Sequence, residues 1–115
     1  MRKVTQDAIR AFRQHKKFKR GNTSVEVSEN GLFAELKLHG NTIAKSGIFE
    51  RLMISSAGWN TVTTKERLNG FDEVHIYQKD FTWYLNGREW TGEWVEVENF
   101  TKHGHYCRFV GGTSF

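Results

Sequence analysis

TWYLNGREWTGEW, residues Thr82 to Trp94, decides the fold of this chain. Asn86-Gly87 is the pair that a two-residue type I′ hairpin turn favours, because both central positions take positive φ. A turn centred there sets the register: Leu85 faces Arg88, Tyr84 faces Glu89, Trp83 faces Trp90 and Thr82 faces Thr91. Side chains alternate along a strand, so Phe81, Trp83, Leu85 and Trp90 share one face. Thr82, Tyr84, Glu89, Thr91 and Glu93 share the other. One apolar and one polar face is the pattern of an antiparallel sheet covered on one side. The tryptophans are therefore expected in the core, and Tyr84 is the aromatic expected outside.

The same period of two runs through the rest of the chain. Val25 and Val27 alternate, Glu29-Asn30-Gly31 makes a turn, and Leu32, Ala34, Leu36 and Leu38 line one face. A hairpin loop at Gly40-Asn41 would set Leu38 opposite Ile43. Leu52 with Ile54, Val74 with Ile76, and Val95 with Val97 mark further strands, and Tyr106 to Val110 a last one. Between them, TVTTKERLNG predicts one or two helical turns. Thr63 as N-cap with Glu66 forms a capping box and Gly70 a left-handed C-cap. Leu68, with Trp59 or Phe71, would dock that turn on the sheet.

At the N-terminus the period lengthens to that of a helix. Val4, Ala8, Ala11, Phe12 and His15 recur at three- and four-residue spacing, predicting a helix from residue 4 to about 18 that ends at Gly21-Asn22. Arg10, Arg13, Lys16 and Lys17 lie mostly off that stripe, on a basic outer face. Together these elements predict an α+β fold: an antiparallel sheet of about five or six strands, an N-terminal helix packed on one face and a short second helix. A small, partly closed β-barrel with a helical appendage is the alternative. The expected organisation is one domain over residues 1–115, with a basic helical segment (1–20), a mainly β region (23–110) and a tail (111–115).

Apolar residues are only 37% of the 115, but four Trp, nine Phe and three Tyr let few positions build a core. No apolar window is long enough for a membrane span, and the charged start lacks the apolar stretch of a signal peptide. A lone cysteine, Cys107, cannot close an intramolecular disulfide, which fits a reducing cytoplasm. The net charge of +4 is unevenly spread. Residues 1–20 carry eight Lys and Arg against Asp7 alone, while acids outnumber bases in the remainder. Such asymmetry points to an arm for polyanions, or to one that packs on acidic surface such as Glu89, Glu93, Glu96 and Glu98.

Three blocks, LHGNTIA (Leu38–Ala44), GWNTVTTKERLNGF (Gly58–Phe71) and WYLNGREWTGEW (Trp83–Trp94), resemble a family of small proteins encoded by tailed bacteriophages. The resemblance implies a viral protein expressed in the host cytoplasm. It brings no reaction or ligand and assigns no functional residue. The HGHYC run lies outside the resembling blocks.

Two groups of residues are candidates for binding. Arg10, Arg13, Lys16, Lys17, Lys19 and Arg20 could neutralise phosphates, with Phe18 stacking on an unpaired base. Asn60, Thr61, Thr64, Lys65 and Arg67 cluster around the short helix, where backbone N–H groups favour anions. His103, His105 and Cys107 have the alternation of one strand face, but residues two apart sit roughly 6–7 Å apart, wide for one ion, so no metal or cofactor is expected. No nucleophile elbow, phosphate loop or His-Glu-x-x-His motif is present, so no catalytic residue is assigned and an enzyme is not expected. The leading expectation is a non-enzymatic phage accessory protein that binds nucleic acid through its basic N-terminal helix. The alternatives are an effector that occludes a host or anti-phage defence protein, and a small-ligand sequestering protein or enzyme. An exposed edge strand leaves an oligomer open.

Overall fold

The computed structural model describes residues 2–47 and 51–97, together with the backbone of residues 107–109. Lys3–Arg13 forms helix α1, which buries Thr5, Ala8 and Phe12 and half-buries Ile9 and Ala11. At its start the buried stripe runs through Thr5 rather than Val4. A threonine is tolerated inside because its hydroxyl is fully engaged. It donates to Glu66 Oε1 (2.5 Å) and accepts from Arg67 Nη1 (3.0 Å).

The helix stops at Arg13, several residues earlier than its pattern suggested. His15 takes φ of 54°, its N–H donates to the Phe12 carbonyl (3.1 Å), and the Lys16 N–H donates to the Ala11 carbonyl (2.9 Å). This is a Schellman closure, with histidine where glycine is usual. The ring Nδ1 donates to the Gly31 carbonyl (2.8 Å), which offsets the left-handed backbone. Gly21-Asn22 therefore joins two strands instead of ending a helix.

Those strands are β1 (Phe18–Arg20) and β2 (Thr23–Val27), and β3 (Phe33–Leu38) and β4 (Asn41–Gly47) continue an antiparallel meander. After β5 (Leu52–Ile54) the chain leaves the sheet for helix α2 (Val62–Leu68) and for β6 (Ile76–Lys79), β7 (Thr82–Leu85) and β8 (Arg88–Glu89). It returns as β9 (Val95–Val97) beside β5, followed by β10 (Cys107–Phe109). The result is a seven-stranded antiparallel sheet, β1-β2-β3-β4-β5-β9-β10, and a three-stranded sheet, β6-β7-β8. The architecture is α+β as expected, with more strands than the five or six anticipated. Strands of two or three residues, such as β8 and β1, are too short to show a period of their own.

The Asn86-Gly87 hairpin has the anticipated register. Leu85 pairs with Arg88 and Tyr84 with Glu89, Asn86 and Gly87 have φ of 50° and 87°, and the Trp90 N–H donates to the Trp83 carbonyl (3.0 Å). Trp83, Leu85 and Trp90 are buried in the common core, and the Trp90 indole donates to the Glu93 carbonyl (2.9 Å). Phe81 departs from the expected face and is 96% exposed. Lys79 pairs with Thr82, so Asp80-Phe81 is itself a two-residue turn and lies outside the strand alternation.

Three other local expectations are corrected. The β3–β4 turn is His39-Gly40, which sets Leu38 opposite Asn41, and a bulge after Leu36 buries Ile43 without a cross-strand partner. Thr61, not Thr63, caps α2 by accepting from the Thr64 N–H (3.2 Å), and Glu66 turns instead towards Thr5 and Arg67. Gly70 is not left-handed; a Cβ there would stand 2.7 Å from side-chain carbons of Ile9 and Thr5. Its lack of a side chain is what lets α1 and the end of α2 approach.

Arg67 is 3% exposed, and its nearest carboxylate, Glu66, is the partner of that buried charge. Removing the carboxylate strands the guanidinium, whereas removing the guanidinium leaves a carboxylate that water reaches. Urea unfolding should therefore show Glu66→Ala losing about 3–5 kcal/mol, more than Arg67→Met; the opposite ranking would contradict this account.

Candidate functional site

The eight cations of the first twenty residues are not one helical face. Arg10 and Arg13 end α1, Lys16 and Lys17 follow the Schellman turn, and Phe18, Lys19 and Arg20 are edge strand β1. The arginines of this candidate group all have acidic partners. Asp7 receives Arg20 (2.9 Å) and lies 4.0 Å from Arg10, while also pairing with Lys3 (3.3 Å). Arg13 pairs with buried Glu73 and packs its guanidinium over Phe71 (5.1 Å). Lys16, Lys17 and Lys19 are exposed and make no ion pair among the described residues. Phe18 is half-buried against the core, with the Arg20 guanidinium 5.2 Å from its ring centroid.

The second candidate group divides. Arg67 donates to Thr23 Oγ1 (3.0 Å), Thr5 Oγ1 (3.0 Å) and Glu66 Oε1, and is out of reach of any ligand. Thr64 is buried, Thr61 is occupied as the cap, and Lys65 is half-buried on α2. The Asn60 amide donates to the Thr91 carbonyl (3.3 Å). Thr61 and Thr64 nevertheless line a cleft of about 460 Å³. Its floor is Leu38 and Ile43, and His39, Asn41, Ser56, Trp59 and Thr63 complete it.

Trp59 is the residue that sequence reasoning missed. Expected to help dock α2, it is 59% exposed, and Phe71 fills the core position instead. The signal lies in Ala57-Gly58, both with positive φ, which turn the chain so that the Trp59 N–H donates to the Ser56 carbonyl (2.9 Å). The cleft also adjoins the basic hairpin. The His39 N–H donates to the Asn22 carbonyl (2.8 Å), and the Asn22 amide lies 3.4 Å from His39 Nε2. The two candidate groups, forty residues apart in sequence, thus meet through the turns β1–β2 and β3–β4.

Among the described residues, no three His, Cys, Asp or Glu side chains converge on a metal position. His103 and His105 lie outside the described residues, and Cys107 is described only as backbone. No described helix is long and apolar enough to cross a membrane.

The Arg20 guanidinium, donating to Asp7 Oδ2, holds the Asp7 carboxyl below its ordinary value, and Lys3 adds to the effect. A carboxyl lowered on folding stabilises the native state above its unfolded pKa and loses that contribution as pH falls through the folded value. Thermal melts of wild type and Asp7→Asn should therefore differ at neutral pH and converge on acidification below about pH 4. A difference that persists unchanged to low pH would exclude this ion pair as its source.

No curated protein and no solved structure matches the chain. The family model described as Kyanoviridae Gp96 protein matches residues 1–107. That match covers both candidate groups, the cleft and strands β1 to β9, so the chain belongs to the Kyanoviridae Gp96 family of phage proteins.

Proposed function

We propose that this phage protein is a non-enzymatic accessory protein that binds nucleic acid in the host cytoplasm through the cationic surface of residues 10–20. One observation carries the proposal. The ion pairs of that surface engage only two carboxylates, Asp7 and Glu73, and leave Lys16, Lys17 and Lys19 unpaired among the described residues. An excess of exposed cations beside paired arginines attracts polyanions and releases their counterions on binding. Lysine on an edge strand also discourages strand addition, which accounts for Lys19. Lys16 and Lys17 precede the strand and are not explained in that way.

Affinity for generic oligonucleotides should fall steeply with added salt. Replacing Lys16, Lys17 and Lys19 together by Gln should flatten the log–log slope by about two to three, since each phosphate contact contributes roughly 0.7–0.9. Fluorescence anisotropy across a salt series measures it; no binding at low salt, or an unchanged slope, would sink the proposal.

Phe81 favours a second reading, in which the protein occludes a host or defence protein. An aromatic side chain this exposed gains by desolvation in a partner's pocket, where such residues act as anchors. Its φ of 68° is costly for a bulky residue, and it presents the ring at the tip of the β6–β7 hairpin. Nuclease-treated host lysate should then yield a stoichiometric protein with the wild type that Phe81→Ala no longer retains. Equal recovery by both would remove Phe81 as the anchor.

A further inference from the structure

We infer that the cleft between the β3–β4 turn and α2 receives one unpaired nucleobase, so that the nucleic acid bound is single-stranded; this rests on the nucleic-acid reading above. The cleft's volume of about 460 Å³ lies within the range of small-ligand sites, roughly 300–1,000 Å³. Its chemistry is that of a base pocket. Leu38 and Ile43 give an apolar floor, Trp59 an aromatic face, and Asn41, Ser56 and Thr63 polar groups of the kind that read a base edge. Among the described residues no carboxylate lines it to repel the phosphates that flank a base.

The Trp59 backbone is held in place before any ligand arrives. Ala57 and Gly58, at φ of 55° and 84°, close the turn that bonds Trp59 N–H to Ser56, and the Thr61 N–H donates back to the Trp59 carbonyl (2.8 Å). Ser56 is anchored in turn, its N–H donating to the Gly92 carbonyl (2.9 Å). Left-handed backbone at an alanine is a cost that surrounding structure must sustain. Here that structure fixes the backbone from which an indole projects with most of its surface in water. Stacking on an aromatic side chain orders only two side-chain torsions, and it suits any base because each has a π-face.

The cations lead to this cleft. Arg20 pairs with Thr23 and Thr23 with Leu38, so Arg20 shares the cleft's face of the sheet, and Asn22, in the turn between β1 and β2, abuts His39 on the cleft wall. A strand whose phosphates follow residues 16–20 along the sheet edge to the β1–β2 turn therefore arrives beside the cleft with a base free to enter. A duplex offers the same phosphates, but its bases are stacked and paired.

The test compares oligodeoxythymidylate, oligouridylate, an abasic strand and a duplex of equal length by anisotropy at low salt. The pyrimidine strands should bind roughly fivefold to a hundredfold more tightly than the abasic strand or duplex, the range of base–aromatic stacking. Comparing the two strands tells DNA from RNA as the source of the base. Trp59→Ala should abolish that preference with its melting temperature unchanged, and Trp59→Phe should keep most of it. Replacing Lys16, Lys17 and Lys19 by Gln should weaken every ligand alike. Equal binding of all four ligands, with Trp59→Ala indistinguishable from wild type, overturns the base pocket and leaves cationic binding standing. No binding of any ligand overturns both.

Discussion

The guanidinium of Arg67 is the tie on which the arrangement of helices and turns depends. It reaches Thr23 at the start of β2 with one nitrogen and Thr5 on α1 with another, and holds Glu66 from its own helix. A seven-residue helix has too few turns to be stable alone, so α2 relies on tertiary contact, with Leu68 supplying burial and this side chain fixing its place. The fork of the guanidinium suits the task, since lysine has no planar donor pair to span two threonines. Through Thr23, whose hydroxyl donates to Asn22 (2.8 Å), the same network reaches the β1–β2 turn and then His39. The position of the cleft relative to the β1–β2 hairpin is thus set by a buried charge on the helix that walls the cleft, bonded directly to the start of β2.

Two glycines complete that fastening by what they lack. Gly70 leaves room for Ile9 and Thr5, so α1 and α2 come close enough for Arg67 to bridge them. Gly92, at φ of 101°, offers its carbonyl to Ser55 and Ser56 at a point where any Cβ would overlap the Ser56 side chain. The loop that presents Trp59 is therefore bolted to the segment that follows the Trp hairpin. Rigidity in this loop comes from convergent backbone bonds rather than from a local hydrophobic cluster.

Much of the fold was legible because its signals are local. Asn86-Gly87 fixes a register, and that register alone sends Trp83, Leu85 and Trp90 inward. Where the sequence misled, a non-glycine residue occupies left-handed backbone: His15 ends α1, His39 shifts a hairpin turn, and Phe81 swings out to solvent. His15 and His39 are held by the carbonyls of Gly31 and Asn22, and no local pattern reveals such partners. The candidate site was half legible for the same reason. Charge counting found the lysines, but the pairing of Arg13 and Arg20, the burial of Arg67 and the exposure of Trp59 are tertiary facts.

The neighbouring strands β5 and β9 carry a kinetic consequence. Ile54 and Val95 pair across the large sheet, yet about forty residues, containing α2 and the whole three-stranded sheet, separate them along the chain. Closing a flexible loop of that length costs roughly 3 kcal/mol in chain entropy. A hairpin nucleated at Asn86-Gly87 shortens the effective loop before the ends meet. The Trp hairpin, local in sequence, thus lowers the entropic cost of the pairing in the larger sheet that spans it, and the two sheets are linked through chain entropy as well as through contact.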